Sequence, residues 1–291
     1  MVLHRFILHN DRIQEASAQT LAAGQVGLLA GWGVFSTLRI AEGVPFAFER
    51  HWARIQRDAA LFHVPLPAGP EVVRARLLEL VEANHAYDST LRVAIVRNGG
   101  GMWAGPSHGR SSDLIALTAD TKEWGHGVKL AVQPQARHAA CEFAGTKILS
   151  WAMNLTWLEN AQQRGFDEVI LLNERGEVAE CTSANIFIAN SGQVWTPPLN
   201  SGCLPGVTRE VLLEEVRVPG VEIREKPLQP AELEAADEVF ITSTTRDLLP
   251  VLEIEGRKVG RTRATETALA AAFQKHLRQY VAEHKPAPAK V

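Results

Sequence analysis

Glu142-Phe143-Ala144-Gly145-Thr146-Lys147-Ile148-Leu149-Ser150-Trp151 is the stretch around which the rest of the chain is organised. Its lysine stands between Phe143 and the apolar pair Ile148-Leu149, at the entrance to a helical pattern from about Ser150 to Arg164 that Gly165 closes. Three polar islands follow in order, each set in apolar sequence: Glu180-Cys181-Thr182-Ser183-Ala184-Asn185, Leu204-Pro205-Gly206-Val207-Thr208-Arg209 and Thr242-Ser243-Thr244-Thr245. Glu180 ends a strand-like run begun at Gly176. The second island is a glycine turn into a helix, whose exposed N–H groups and dipole make a ready anion site. Singly, each feature has an ordinary reading: a surface lysine, an acid at a strand end, a Ser/Thr loop. It is their order that carries information.

The totals narrow the classes. A chain of 291 residues is long enough for two domains or one large one, and 46% hydrophobic with 22% charged residues is the balance of a globular protein. A net charge of -3 speaks against a nucleic-acid partner, and no apolar run approaches a membrane span. Met1 to Asn10 is too short and too polar for a signal peptide. Three cysteines, Cys141, Cys181 and Cys203, are an odd count without CxxC spacing, which points to neither disulfides nor a metal site. The expected compartment is the cytoplasm.

Upstream of the lysine the pattern mixes short strands and helices. Strands are predicted near Phe6–Leu8 and Arg12–Ile13, then through the Gly-punctuated Gly27 to Arg39, and at Val44–Phe48 after a Glu42-Gly43 turn. A helix follows from Glu49, with His51, Ile55, Ala59 and Phe62 at helical spacing and Arg50, Arg54 and Arg57 along it. Pro70 opens a second helix; Leu91–Val96 and Leu114–Leu117 are strands. These sum to a small α+β domain over residues 1–119, with a linker at 120–127.

The larger domain is predicted over 128–284. Its strands fall at Val128–Val132, Val169–Leu172, Glu177–Glu180, Asn185–Ala189, Gln193–Thr196, Glu238–Thr242, Val251–Ile254 and Arg257–Val259. Helices are expected at Thr208–Val216, Pro230–Ala236 and about Ala264 to Glu283. The Pro/Ala-rich residues 285–291 read as a disordered tail.

One lysine, one acid inside a strand-like run and two Thr-bearing turns suit a phosphorylated aldehyde held by its carbonyl, ring and phosphate. From about Gly27 to Gly260 the order resembles the fold-type IV pyridoxal phosphate (PLP) enzymes, the class IV aminotransferase family, and within it branched-chain aminotransferase-like proteins. The resemblance implies a two-domain α+β fold, with a small N-terminal α/β domain and a larger C-terminal domain built on a β-barrel-like sheet. It implies Lys147 as the Schiff-base lysine and proton carrier, and Glu180 as partner of the ring nitrogen, in the specific motif Glu-x-x-x-x-Asn-Ile-Phe at Glu180 to Phe187. His51-Trp52-Ala53-Arg54-Ile55 resembles the family's His-x-x-Arg-Leu pattern, so Arg54, whose planar fork suits a phosphate, joins Val207, Thr208 and Thr244 in the implied phosphate cup. Phe35, Thr37, Arg92, Trp151 and Thr245 are substrate-side candidates, and no metal is implied. Trp32, Trp103, Trp124 and Trp151 are offered as aromatic walls.

Subfamily signals are mixed. Arg92, Gly101-Met102 and Pro106 align without gaps to branched-chain aminotransferases, whereas those enzymes line their pocket with tyrosines and this chain has only Tyr87 and Tyr280. Lys147 to Gly165 and Thr242–Thr245 look like D-amino-acid aminotransferases, but that group's Arg-x-His pair and entry-strand tyrosine are replaced by Gly-Gly-Met-Trp and Phe35. Phe35–Arg39 resembles the aminodeoxychorismate lyases, which carry an arginine where Met102 stands. The expectation is a transaminase moving an amino group from a branched-chain or other hydrophobic L-amino acid to 2-oxoglutarate. The alternatives are aminodeoxychorismate lyase and a D-amino-acid or (R)-amine transaminase. The partners implied are amino-acid and 2-oxo-acid substrates and a second copy of the chain.

Overall fold

The structure is a computed structural model that describes residues 2–18, 24–101 and 109–285. Met102, Trp103 and Pro106, and all of the predicted tail except Lys285, lie outside the described residues. The chain forms two compact units. The first comprises residues up to Lys122, Lys147–Trp151 and those from Arg278 on; the second comprises Glu123–Thr146 and Ala152–Leu277. Thus Lys147 belongs with the first unit although it follows the second unit's opening strand in sequence.

The first unit is built on β1 (Leu3–His9), β2 (Arg12–Glu15), α1 (Val26–Ala30), β3 (Gly33–Ala41), β4 (Val44–Pro45), α2 (Phe48–Leu61), α3 (Pro70–Ala83), β5 (Ser89–Arg97) and β6 (Ser112–Ala119). Among the described residues its six strands are all antiparallel, in the order β2-β1-β6-β5-β3-β4. Alternation along β3 and β5 sends Val34, Leu38, Leu91, Val93 and Ile95 to one face, where they pack with Trp52 and Ile55 of α2 and Leu77 and Leu80 of α3. The register Phe35↔Ala94 and Thr37↔Arg92 puts these four residues together on the other face. The predicted strand at Val44–Phe48 is shorter than expected. It ends at Pro45 because Phe48 already opens α2, its ring stacked 6.2 Å from Trp52 one turn on. The strand expected from Gly27 begins only at Gly33, because Val26–Ala30 forms helix α1, closed by Gly31 in the left-handed region.

The second unit holds β7 (Val128–Arg137), α4 (Ala152–Gln163), β8 (Glu168–Asn173), β9 (Val178–Cys181), β10 (Asn185–Asn190), β11 (Gln193–Thr196), α5 (Val207–Glu214), β12 (Glu222–Glu225), α6 (Pro230–Ala235), β13 (Glu238–Ser243), β14 (Asp247–Ile254) and β15 (Arg257–Lys258). Helix α7 (Ala264–His284) belongs to this unit up to Leu277. Eight strands run β12-β11-β10-β13-β14-β7-β8-β9, with β15 paired to β14, as a curled half-barrel. The sheet is mixed, since β7 lies parallel to both β14 and β8 and β11 lies parallel to β12. Ile170, Ile186, Ile188, Val239, Ile241 and Val251 fill the core. β12 escaped prediction because Glu222-Ile223-Arg224-Glu225 carries one apolar residue, as an edge strand can. Among the described residues no helix is long and apolar enough to cross a membrane.

Candidate active site

The candidate residues fall into two groups, one on each unit. In the first unit Lys147 hangs on the edge of β3. Phe35 N–H donates to the Lys147 carbonyl at 3.0 Å and Leu149 N–H to the Gly33 carbonyl at 2.9 Å, with a bridge between Val34 and Ile148. The Lys147 N–H donates to Asp58 Oδ2 of α2 at 3.0 Å, and that carboxylate, 1% exposed, also accepts from Arg57. The main chain at Lys147 is therefore pinned on both sides, and rotamers alone set the reach of Nζ. Nζ lies 4.6 Å from the Phe35 ring centroid and 4.7 Å from that of Trp151, two rings that meet edge to face at 5.5 Å. The exposed Arg92 also overlies Phe35, 4.2 Å from its centroid, with Thr37 as its cross-strand neighbour.

Arg54 is buried on α2 and donates from Nη2 to Ser36 Oγ at 2.9 Å; Ser36 Oγ in turn bonds His51 Nδ1 at 2.8 Å. Spacing of three along the helix brings His51 and Arg54 to one side, facing the β3 serine. Burial pushes His51 well below its usual proton affinity, and the positive charges of Arg54 and Lys147 add to the effect, so the ring is neutral. The unfolded chain takes up this proton below about pH 6.5 and the folded chain does not, so stability falls as pH drops below that value and is unaffected above it. The expected slope from this one group is about 1.4 kcal/mol per pH unit. Urea melts between pH 5 and 7 should show a shallower dependence in His51→Gln than in the parent; parallel curves would refute a buried neutral His51.

The second unit gathers Glu180, Val207, Thr208, Thr244 and Thr245 at one end of its sheet. Glu180, 7% exposed, accepts from Arg137 Nε at 2.9 Å through Oε1 and from the Leu204 N–H at 3.0 Å through Oε2. Asn185, across the Thr182–Ser183 turn from Glu180, donates from Nδ2 to the Leu204 carbonyl at 2.9 Å. The motif's acid and amide thus grip both polar atoms of one peptide residue just ahead of α5. Asn185 also pairs in register with Thr242, which sets the start of the Ser243–Thr245 turn beside the same end. Val207 and Thr208 occupy the first turn of α5, where N–H groups have no intrahelical acceptor. Ser243, Thr244 and Thr245 are all half-buried.

Gly206, the residue before α5, has no room for a side chain: a Cβ there would run into Asn185 Oδ1. Gly206→Ala must displace Asn185 and is expected to destabilise the fold by about 1–3 kcal/mol, read as a lower urea midpoint at unchanged slope. An unchanged midpoint would mean that the turn before α5 yields easily.

Several contributors carried no local signal. Asp58 and Arg137 lie outside every motif of the sequence and Ser36 within one only as a neighbour of Phe35 and Thr37; Arg137 stands 43 residues from the carboxylate it meets. The tryptophans divide by contact. Trp151 meets Phe35, whereas Trp32 donates to the Phe62 carbonyl at 2.7 Å under the Arg97 guanidinium, and Trp124 lies under Arg246. Burial pushes the Cys181 thiol well up and the Cys203 thiol up to about 12, so neither supplies a thiolate near neutral pH.

Residues 33–254 match the family model described as amino-transferase class IV. The chain is 30% identical over 273 residues to a D-alanine aminotransferase of Bacillus licheniformis, covering 90% of this chain and 95% of that protein. It is 26% identical over 245 residues to a branched-chain-amino-acid aminotransferase of Escherichia coli strain K12, covering 80% and 79%. The solved branched-chain aminotransferase of Thermoproteus uzoniensis with norvaline is similar at a TM-score of 0.86 and 25% identity, covering 96% of this chain and 98% of that one. Because the match runs from the first residue of β3 to the last of β14, the chain belongs to the class IV aminotransferases and is a transaminase that depends on pyridoxal 5'-phosphate.

Proposed function

We propose that this transaminase moves the amino group of a branched-chain or other hydrophobic L-amino acid to 2-oxoglutarate, acting in the cytoplasm as a homodimer. The observation that carries the substrate reading is the environment of Lys147. Phe35 and Trp151 put two apolar rings within 5 Å of its Nζ, a wall for a hydrophobic side chain, while Arg92 overlies Phe35 as an exposed cation for a carboxylate. The dimer reading draws on the exposed Leu28 and Leu29 of α1 and Met153 and Leu155 of α4, and the cytoplasmic reading on the three free cysteines.

The residues present suit the cofactor. Leu204 is held by Glu180 and Asn185, and Gly206 leaves the start of α5 without a side chain, which favours a phosphate on the N–H groups of Val207 and Thr208. In this reading Thr244 would add a half-buried hydroxyl, and Arg54 a buried guanidinium that Ser36 already orients. When bound, PLP supplies a carbonyl that condenses with amines and a ring that takes up the electron pair released at the substrate α-carbon. In this reading the Lys147 amine would take the proton released from the substrate α-carbon and return it to the cofactor carbon that had carried the carbonyl. Glu180 would serve the ring nitrogen, where its negative charge would favour a protonated ring. Arg92 and Thr37 orient the carboxylate, and Thr245 stands on the substrate side of its turn.

The D-alanine aminotransferase relative favours a second reading, a D-amino-acid or (R)-amine donor on the same machinery. A half-reaction screen separates them. The purified protein loaded with PLP is mixed singly with L-leucine, L-glutamate, D-alanine, an (R)-amine and aminodeoxychorismate, while the bound-cofactor absorbance and pyruvate are followed. Bleaching by L-leucine and L-glutamate alone is the expected result. Bleaching by D-alanine or the amine would transfer the assignment to the second reading, and pyruvate from aminodeoxychorismate without bleaching would make the protein a lyase.

A further inference from the structure

A continuous polar chain runs through the second unit beneath the turns just described. Glu168, the first residue of β8, is fully buried, and Arg246, in the turn before β14, is nearly so. Arg246 Nη2 donates to Glu168 Oε2 at 3.1 Å, while Nη1 reaches the Ser183 carbonyl at 3.3 Å, Ser183 Oγ at 3.1 Å and Ser243 Oγ at 3.4 Å. Glu168 also accepts from the hydroxyls of Thr182 and Ser183. Trp124 lies against the guanidinium, 3.9 Å from ring centroid to Cζ, and its indole N–H donates to the Thr245 carbonyl at 2.8 Å. On the other side Asn154 donates to the Thr182 carbonyl at 2.7 Å and accepts from Arg137, the arginine that bonds Glu180.

A buried carboxylate and guanidinium are costly to desolvate, and apolar residues of similar volume often fill such space with no loss of stability. What apolar packing lacks is direction. Here one guanidinium fork is shared between two turns that are separate in sequence, Thr182–Ser183 after Glu180 and Ser243–Thr245 at the end of β13. We infer that Glu168 and Arg246, roofed by Trp124, are positioning residues that lock the Ser243–Thr245 turn in register with Glu180. This rests on the proposed roles of Glu180 and Thr244 toward the ring and phosphate of PLP. The pair touches neither group of the cofactor in that scheme; it fixes the distance between the residues that do.

The test compares PLP with pyridoxal, which lacks the phosphate, by absorbance titration of the apoprotein. The variants are the charge-free pair Glu168→Leu with Arg246→Met, and Trp124→Phe, which keeps a ring under Arg246 but loses the donor to Thr245. The expected result is PLP affinity lower by about 10-fold or more in the double variant and about 3-fold in Trp124→Phe, the size of one or two lost restraints on charge-assisted hydrogen bonds. Pyridoxal affinity should stay within about 2-fold, because base and ring contacts do not need the second turn. If PLP and pyridoxal weaken equally, or neither weakens, the clamp has no positioning role and the inference falls. Should the double variant fail to melt cooperatively, Trp124→Phe decides by the same ratio. A parent protein that takes up neither compound would instead overturn the underlying reading of the cofactor site.

Discussion

Lys147→Ala is expected to lower the transamination rate by at least about 10⁴-fold, the upper range for loss of a proton-transferring group, while leaving the protein folded. The bonds that hold this segment, to Phe35, Asp58 and through Leu149 to Gly33, use main-chain atoms of the lysine and its neighbours, so alanine retains them all. What disappears is the amine above Phe35 and beside Trp151. Borohydride reduction followed by peptide mass spectrometry gives the direct readout. In the parent protein the reduced cofactor should be found on the peptide containing Lys147, and in the variant on no peptide. A variant that still fixes cofactor to the chain would remove Lys147 from its assigned role.

Glu180→Gln is expected to fold, bind PLP and turn over about 10²- to 10³-fold more slowly, because a neutral amide cannot favour a protonated ring. Glutamine retains a carbonyl oxygen for the Leu204 N–H, so the turn before α5 should persist. Glu180→Ala should behave differently. It strips the partner from both the Leu204 N–H and the largely buried Arg137 guanidinium, and about 3 kcal/mol of stability should go with it. Stopped-flow half-reactions on Glu180→Gln and urea melts of both variants separate chemistry from architecture. Parent-like half-reaction rates in Glu180→Gln would show that the carboxylate does not act on the ring.

Much of this molecule is legible in its sequence. The family was readable because its marks are local: each polar island is contiguous and interrupts an apolar run. The strands of the second unit, from Val169 to Ile254, were bounded in sequence by Asn, Gly and Asp turns. Edges were less legible, as β12 and the shortened strand at Val44 show, since an edge strand need bury little and a helix may begin wherever an aromatic such as Phe48 finds a packing partner.

By itself, then, the sequence determined most of the elements in their order, the family and the candidate residues that sit inside contiguous motifs, because periodicity and turn chemistry act over a few neighbouring residues. Only the tertiary structure decided what holds those motifs. Asp58 accepts from Lys147 across 89 positions, Arg137 meets Glu180 across 43 and Arg246 meets Glu168 across 78. Such pairs leave no trace in local pattern: a buried arginine and a solvated one have the same letter, and only the packing around them removes the water that makes their partners matter.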